Sequence, residues 1–88
     1  MSPDPYIHFV DWFMRKEGYV LREAYERKSN LLFVYCYRRK PNEWLVFSTY
    51  HPYLEYSTAS KQNFIDNYRT MTPITSKAKD YYVDQYTK

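Results

Sequence analysis

A chain of 88 residues suits one small domain and is short for two, so residues 1–88 are read as a single unit. Thirteen Lys and Arg against ten Asp and Glu leave a net charge of +3, too mild for a protein that coats DNA by charge alone. One cysteine excludes an internal disulfide framework, and one glycine excludes a glycine-rich phosphate cradle.

Asp4 followed by Pro5 reads as a helix start, an acceptor side chain ahead of a residue already set for the first turn. Tyr6, Phe9, Val10, Phe13 and Met14 then recur at helical spacing, and Gly18 supplies the stop. The period changes next. Tyr19, Leu21 and Tyr25 fall on alternate positions and predict a strand over 19–27, with a polar turn in Arg27-Lys28-Ser29-Asn30. Residues 31–38, dense in Leu, Phe, Val and Tyr, predict a second strand. Pro41 and Asn42 sit at the centre of a turn, and the run from Glu43 to Tyr50 predicts a third strand.

Ser57, Thr58 or Ser60 can cap a further helix that carries Phe64, Ile65, Tyr68 and Met71 on one face and stops at Pro73. Ala78, Tyr82 and Tyr86 at four-residue spacing predict a short last helix over 77–86. The expected fold is α+β in two layers: an N-terminal helix, a three-stranded antiparallel meander, and one or two C-terminal helices.

Turns centred on Ser29-Asn30 and Pro41-Asn42 place Arg22 near Tyr37, Ala24 near Tyr35 and Val46 opposite Tyr37. Side chains alternate across a sheet, so two faces follow. Tyr19, Leu21, Tyr25, Leu32, Val34, Cys36, Leu45 and Phe47 form the expected core face. Val20, Arg22, Phe33, Tyr35, Tyr37, Arg39, Trp44 and Tyr50 form the other, which mixes rings with guanidinium groups. Twelve Tyr, five Phe and two Trp exceed what one small core holds, which favours an open second face. The same register gathers Arg15, Lys16, Arg22, Arg38, Arg39 and Lys40 into one basic end.

Such a surface suits single-stranded nucleic acid. Tyr35, Tyr37 and Trp44 would stack on bases and Arg22, Arg38, Arg39 and Lys40 would neutralise phosphates, with Phe33, Arg15 and Lys16 as further members of the binding surface. The competing reading has helices on both sides of the sheet and the same rings as ordinary core. A second functional class is a small inhibitor or adaptor of phage or mobile-element type, acting on a nucleic-acid-handling host protein, since Tyr, Trp and Arg also mark protein–protein hot spots. Trp12 lies off the apolar stripe of the first helix and suits either a sheet-edge contact or a homodimer.

An enzyme is not expected. Cys36 has only His8 and His51 as possible bases, and no spacing brings them together. The same three residues lack the short paired spacing of a zinc site, and no cofactor is implied. The first residues carry no basic segment followed by an apolar one, and "LLFVYCY" is too short to span a bilayer, so a cytoplasmic location without membrane contact is expected.

Overall fold

The computed structural model describes residues 5–27, 29, 32–50 and 58–87, and only the backbone of Pro5, Thr49 and Tyr50. Its order is α1 (Pro5–Lys16), β1 (Val20–Arg27), β2 (Leu32–Arg38), β3 (Leu45–Tyr50), α2 (Thr58–Thr70) and α3 (Ser76–Thr87). This is the expected α+β class, with two C-terminal helices. The proposed caps Asp4 and Ser57, and Asn30 of the first turn, lie outside the described residues.

Gly18 ends α1 as its sequence position implies. At φ 89° it takes a conformation that L side chains rarely adopt. Its N–H donates to the Arg15 carbonyl at 3.0 Å, and the Tyr19 N–H donates to the Met14 carbonyl at 2.9 Å. That pair of bonds is a Schellman motif, completed by Met14 and Tyr19 meeting in the core.

The three strands form an antiparallel sheet in the order β1-β2-β3. From Arg27↔Leu32 to Glu23↔Cys36 the first hairpin follows the expected register, Ala24↔Tyr35 included. A β-bulge between Leu21 and Glu23 then moves Tyr37 opposite Leu21 instead of Arg22. The second hairpin is displaced by one residue along its whole length: Tyr37 faces Leu45, Tyr35 faces Phe47, and Val46 faces Cys36. Its tip is the expected turn, with Pro41 ahead of Asn42 at φ 66° and the Glu43 N–H donating to the Lys40 carbonyl at 3.1 Å.

α1 and α2 cover the face that carries Phe33, Tyr35, Tyr37, Leu45 and Phe47. Phe64 of α2 is the hub, with its ring 5.9 Å from Phe9, 5.4 Å from Phe13 and 5.2 Å from Phe47. The three helical rings meet edge to face or tilted, the arrangements their quadrupoles favour. α3 covers the opposite face, where Val34 and Cys36 are fully buried. The expected pair of layers therefore becomes three, with the sheet in the middle.

α3 begins on Thr75, whose hydroxyl accepts from the Ala78 N–H at 3.3 Å. Its inward side holds buried Lys79 with half-buried Ala78, Val83 and Thr87, while Tyr82 and Tyr86 of the expected stripe stay exposed.

A Gly18→Ala substitution should cost about 1–2 kcal/mol through the backbone alone. Among the described residues the added Cβ meets only the Arg39 side chain, Cδ at 3.5 Å and Cγ at 3.9 Å, both ordinary contacts. Thermal unfolding followed by circular dichroism should show a midpoint lower by roughly 5 °C or more. An unchanged midpoint would contradict Gly18 as the helix stop.

Candidate nucleic-acid interface

The expected open ring face is closed. Phe33, Tyr35, Tyr37 and Trp44 retain 9%, 5%, 1% and 9% of their accessible surface, so in the monomer none offers a ring to a base. The cause is cover on both faces of the sheet, by α1 and α2 on one and α3 on the other; the one-residue displacement of the second hairpin decides which β3 residues share each face. It brings Leu45 and Phe47 across from Tyr37 and Tyr35, on one face with Phe33, and α1 and α2 close over that face. Tyr50, the last ring of that set, has no described side chain.

Tyr37 reaches the core's rim. Its hydroxyl donates to Asp11 Oδ1 at 3.4 Å, and burial, reinforced by the Asp11 charge, pushes the phenol pKa up. Tyr68 of α2 is raised in the same direction, first by burial.

Trp44 is separated from the tyrosines and lies under α3. Its backbone pairs with Ile74 through two bonds of 2.9 and 2.8 Å, and its indole N–H donates to Ser76 Oγ at 3.2 Å. Arg38 stands over the ring at 5.3 Å and the Lys79 ammonium at 4.6 Å. Lys79 is itself only 9% exposed and is bonded to Glu23 Oε2. The Glu23 hydrogen bond raises the Lys79 pKa against the opposing effect of burial, so the ammonium stays charged.

The cations divide. Arg38 is half-buried, bonded to the Lys40 carbonyl at 3.3 Å and committed to Trp44, which makes it part of the scaffold. Arg15, Lys16, Arg39 and Lys40 are exposed. Arg39 lies against Gly18 and over the Tyr19 ring at 4.7 Å, so the tip of the second hairpin meets the last turn of α1, where Arg15 and Lys16 sit. This is the basic end anticipated from sequence. Arg22 stays exposed at the bulge, with no hydrogen bond or ion pair to that group among the described residues.

An exposed ring does adjoin this end, supplied by a residue that the sequence leaves ambiguous. Trp12 is 55% exposed on α1, with Lys16 Nζ 5.3 Å from its ring centre. Phe9 stands 6.0 Å away and carries Lys61 of α2 over its own ring at 5.2 Å. Only the position of Trp12 off the apolar stripe signals this; Lys61 gives no signal in sequence. Asp11 partly offsets the charge through a 2.9 Å bond from Arg15 Nε.

The remaining chemistry is sparse. Cys36 is fully buried, and its thiol is pushed up to about 11, first by burial and then by the Glu23 charge. Among the described residues no three His, Cys, Asp or Glu side chains are placed to hold a metal ion. Nor is any described helix long and apolar enough to cross a membrane.

Replacing Lys79 by Ala should destabilise the fold by about 1–2 kcal/mol, because it removes both the stem packed on Trp44 and the partner of Glu23. Lys79→Met should recover part of that loss, and denaturant melts of the two variants test the order. Cys36 should react with an aromatic disulfide reagent at pH 8 at least about a hundredfold more slowly in the folded chain than in denaturant. Equal rates would contradict its burial. No protein-family model, curated protein or solved structure matches this chain.

Proposed function

We propose that this protein is a non-enzymatic binding module for single-stranded nucleic acid, engaged through the outward side of α1 and the cationic hairpin tip. The observation that carries the reading is the exposed Trp12 ring flanked by Lys16 and continuous with Arg15, Arg39 and Lys40. A base stacks on an indole for about 1–3 kcal/mol without sequence readout. Lys16, 5.3 Å from the ring centre, would meet a flanking phosphate, with the other cations of the basic end to follow the backbone, and Lys61 extends the positive track beside Phe9. The binding ring thus moves from the sheet to the helix, while four of the anticipated cations keep their role.

A second reading, a small inhibitor or adaptor docking on a nucleic-acid-handling protein, draws support from α3. Tyr81, Tyr82 and Tyr86 are 60%, 40% and 38% exposed, with Tyr82 and Tyr86 stacked at 6.4 Å. Exposed tyrosines of this kind are enriched at protein interfaces.

Fluorescence separates the two. The chain has two tryptophans and Trp44 is buried, so quenching on addition of a short oligonucleotide reports on Trp12. Binding should weaken tenfold or more on Trp12→Ala. The slope of log affinity against log salt should flatten by about 1.4 when Lys16 and Arg39 are both replaced by Ala, at roughly 0.7 per phosphate contact. Absence of binding at low salt would overturn the nucleic-acid reading and leave the α3 surface as the one to pursue.

A further inference from the structure

β1 is an outer strand of the sheet, and no described residue forms a backbone hydrogen bond with its outer edge. Native proteins protect such edges by bulges, charges or pairing. Here the bulge occupies only 21–23, and the five residues from Glu23 to Arg27 continue as a regular ladder with β2. An open edge of that length is a template for a strand.

The charge pattern identifies the strand. A twofold axis through an antiparallel pair passes between two directly opposed residues, so one residue must face its own copy. An axis at Glu23 or Glu26 sets a carboxylate against its own copy. One at Ala24 needs Arg22, which the bulge takes out of the ladder. An axis at Tyr25 uses only the regular segment and sets Glu23 opposite Arg27 of the second copy, twice by symmetry. Opposite charges across a strand pair are favourable, and a central aromatic pair adds to them.

The surroundings agree. Glu23, Tyr25 and Arg27 share the α3 side of the sheet, because Glu23 opposes Cys36 and Tyr25 opposes Val34. Tyr25 is 39% exposed beside an open cleft of about 410 Å³, lined by Arg27, Leu32, Val34 and Thr87 among others. Lys79 holds Glu23 by Oε2, yet that side chain remains 37% exposed. A second tyrosine ring at the axis would lie over the cleft mouth.

We propose that β1 pairs antiparallel with β1 of a second copy about a twofold axis at Tyr25, joining two three-stranded sheets into one of six. The interface is small, so the dimer is a weak one that builds with concentration.

Sedimentation velocity from low micromolar to near-millimolar protein should show mass rising from 10.9 kDa toward twice that value. Tyr25→Lys, which sets two ammonium groups at the axis, and Arg27→Glu, which opposes two carboxylates, should each weaken association at least tenfold. Tyr25 is exposed and Arg27 half-buried at the cleft, and circular dichroism verifies that both variants fold. Tyr25→Cys should form a covalent dimer under mild oxidation, since buried Cys36 cannot compete. A chain that stays monomeric at near-millimolar concentration overturns the proposal. So does a dimer that survives both substitutions, which would place the contact on another surface such as the α3 tyrosines.

Discussion

The ammonium of Lys79, held between the ring of Trp44 and the carboxylate of Glu23, ties the last helix to β1 and to the residue just ahead of β3. The inward side of α3 is poor in apolar bulk, with Ala78, Val83 and Thr87 beside it. A lysine whose stem lies along a ring and whose head finds a carboxylate supplies packing and satisfied charge together. Close by, Trp44 pairs its backbone with Ile74 and its indole with Ser76, so the approach to α3 is fixed just before the helix begins. Without that attachment Val34 and Cys36 would face water, and the centre of β2 would lose half its cover.

The bulge belongs to the same arrangement. Leu21 packs against the α1–α2 core opposite Tyr37, whereas Glu23 must point the other way to meet Lys79. In a regular strand residues two apart share a face. One extra residue, Arg22, reverses the alternation and lets an apolar and an acidic side chain serve opposite layers. The feature that spoils the simple pairing thus makes the second layer possible.

These constraints explain what the chain discloses and what it conceals. α1 and its stop were legible because Phe9, Val10, Phe13 and Met14 repeat at helical spacing and Gly18, the one glycine in the sequence, follows where the helix end takes a positive φ. The first hairpin was legible from Glu23 to Arg27, where nothing perturbs the count between strands. The second was not, because its ladder is set off-centre from the Pro41-Asn42 turn and Trp44 is engaged by Ile74, a partner 30 positions away in sequence. Yet "LLFVYCY" did carry the answer to the exposure question. A strand with one wet face alternates, and an uninterrupted apolar run marks cover on both sides. Tyrosine obscured it, being equally at home at a surface. The candidate site was half legible: charge density located the basic end, whereas the choice of exposed ring depended on packing that leaves Trp12 outside the α1 stripe.

The two proposed surfaces reinforce each other through symmetry. A twofold axis perpendicular to a continuous sheet returns each face to itself, so pairing along β1 would put both α1–α2 layers on one side and both α3 helices on the other. Two Trp12 patches, each beside its own cationic hairpin tip, would then look out from the same side of a six-stranded platform. A single strand long enough to reach both would bind the second patch as an intramolecular event, with avidity set by the span between them. Weak self-association and weak single-site binding would then favour each other: a strand bridging two copies would hold the β1 edges together, and joined edges would keep two stacking rings within reach of one strand.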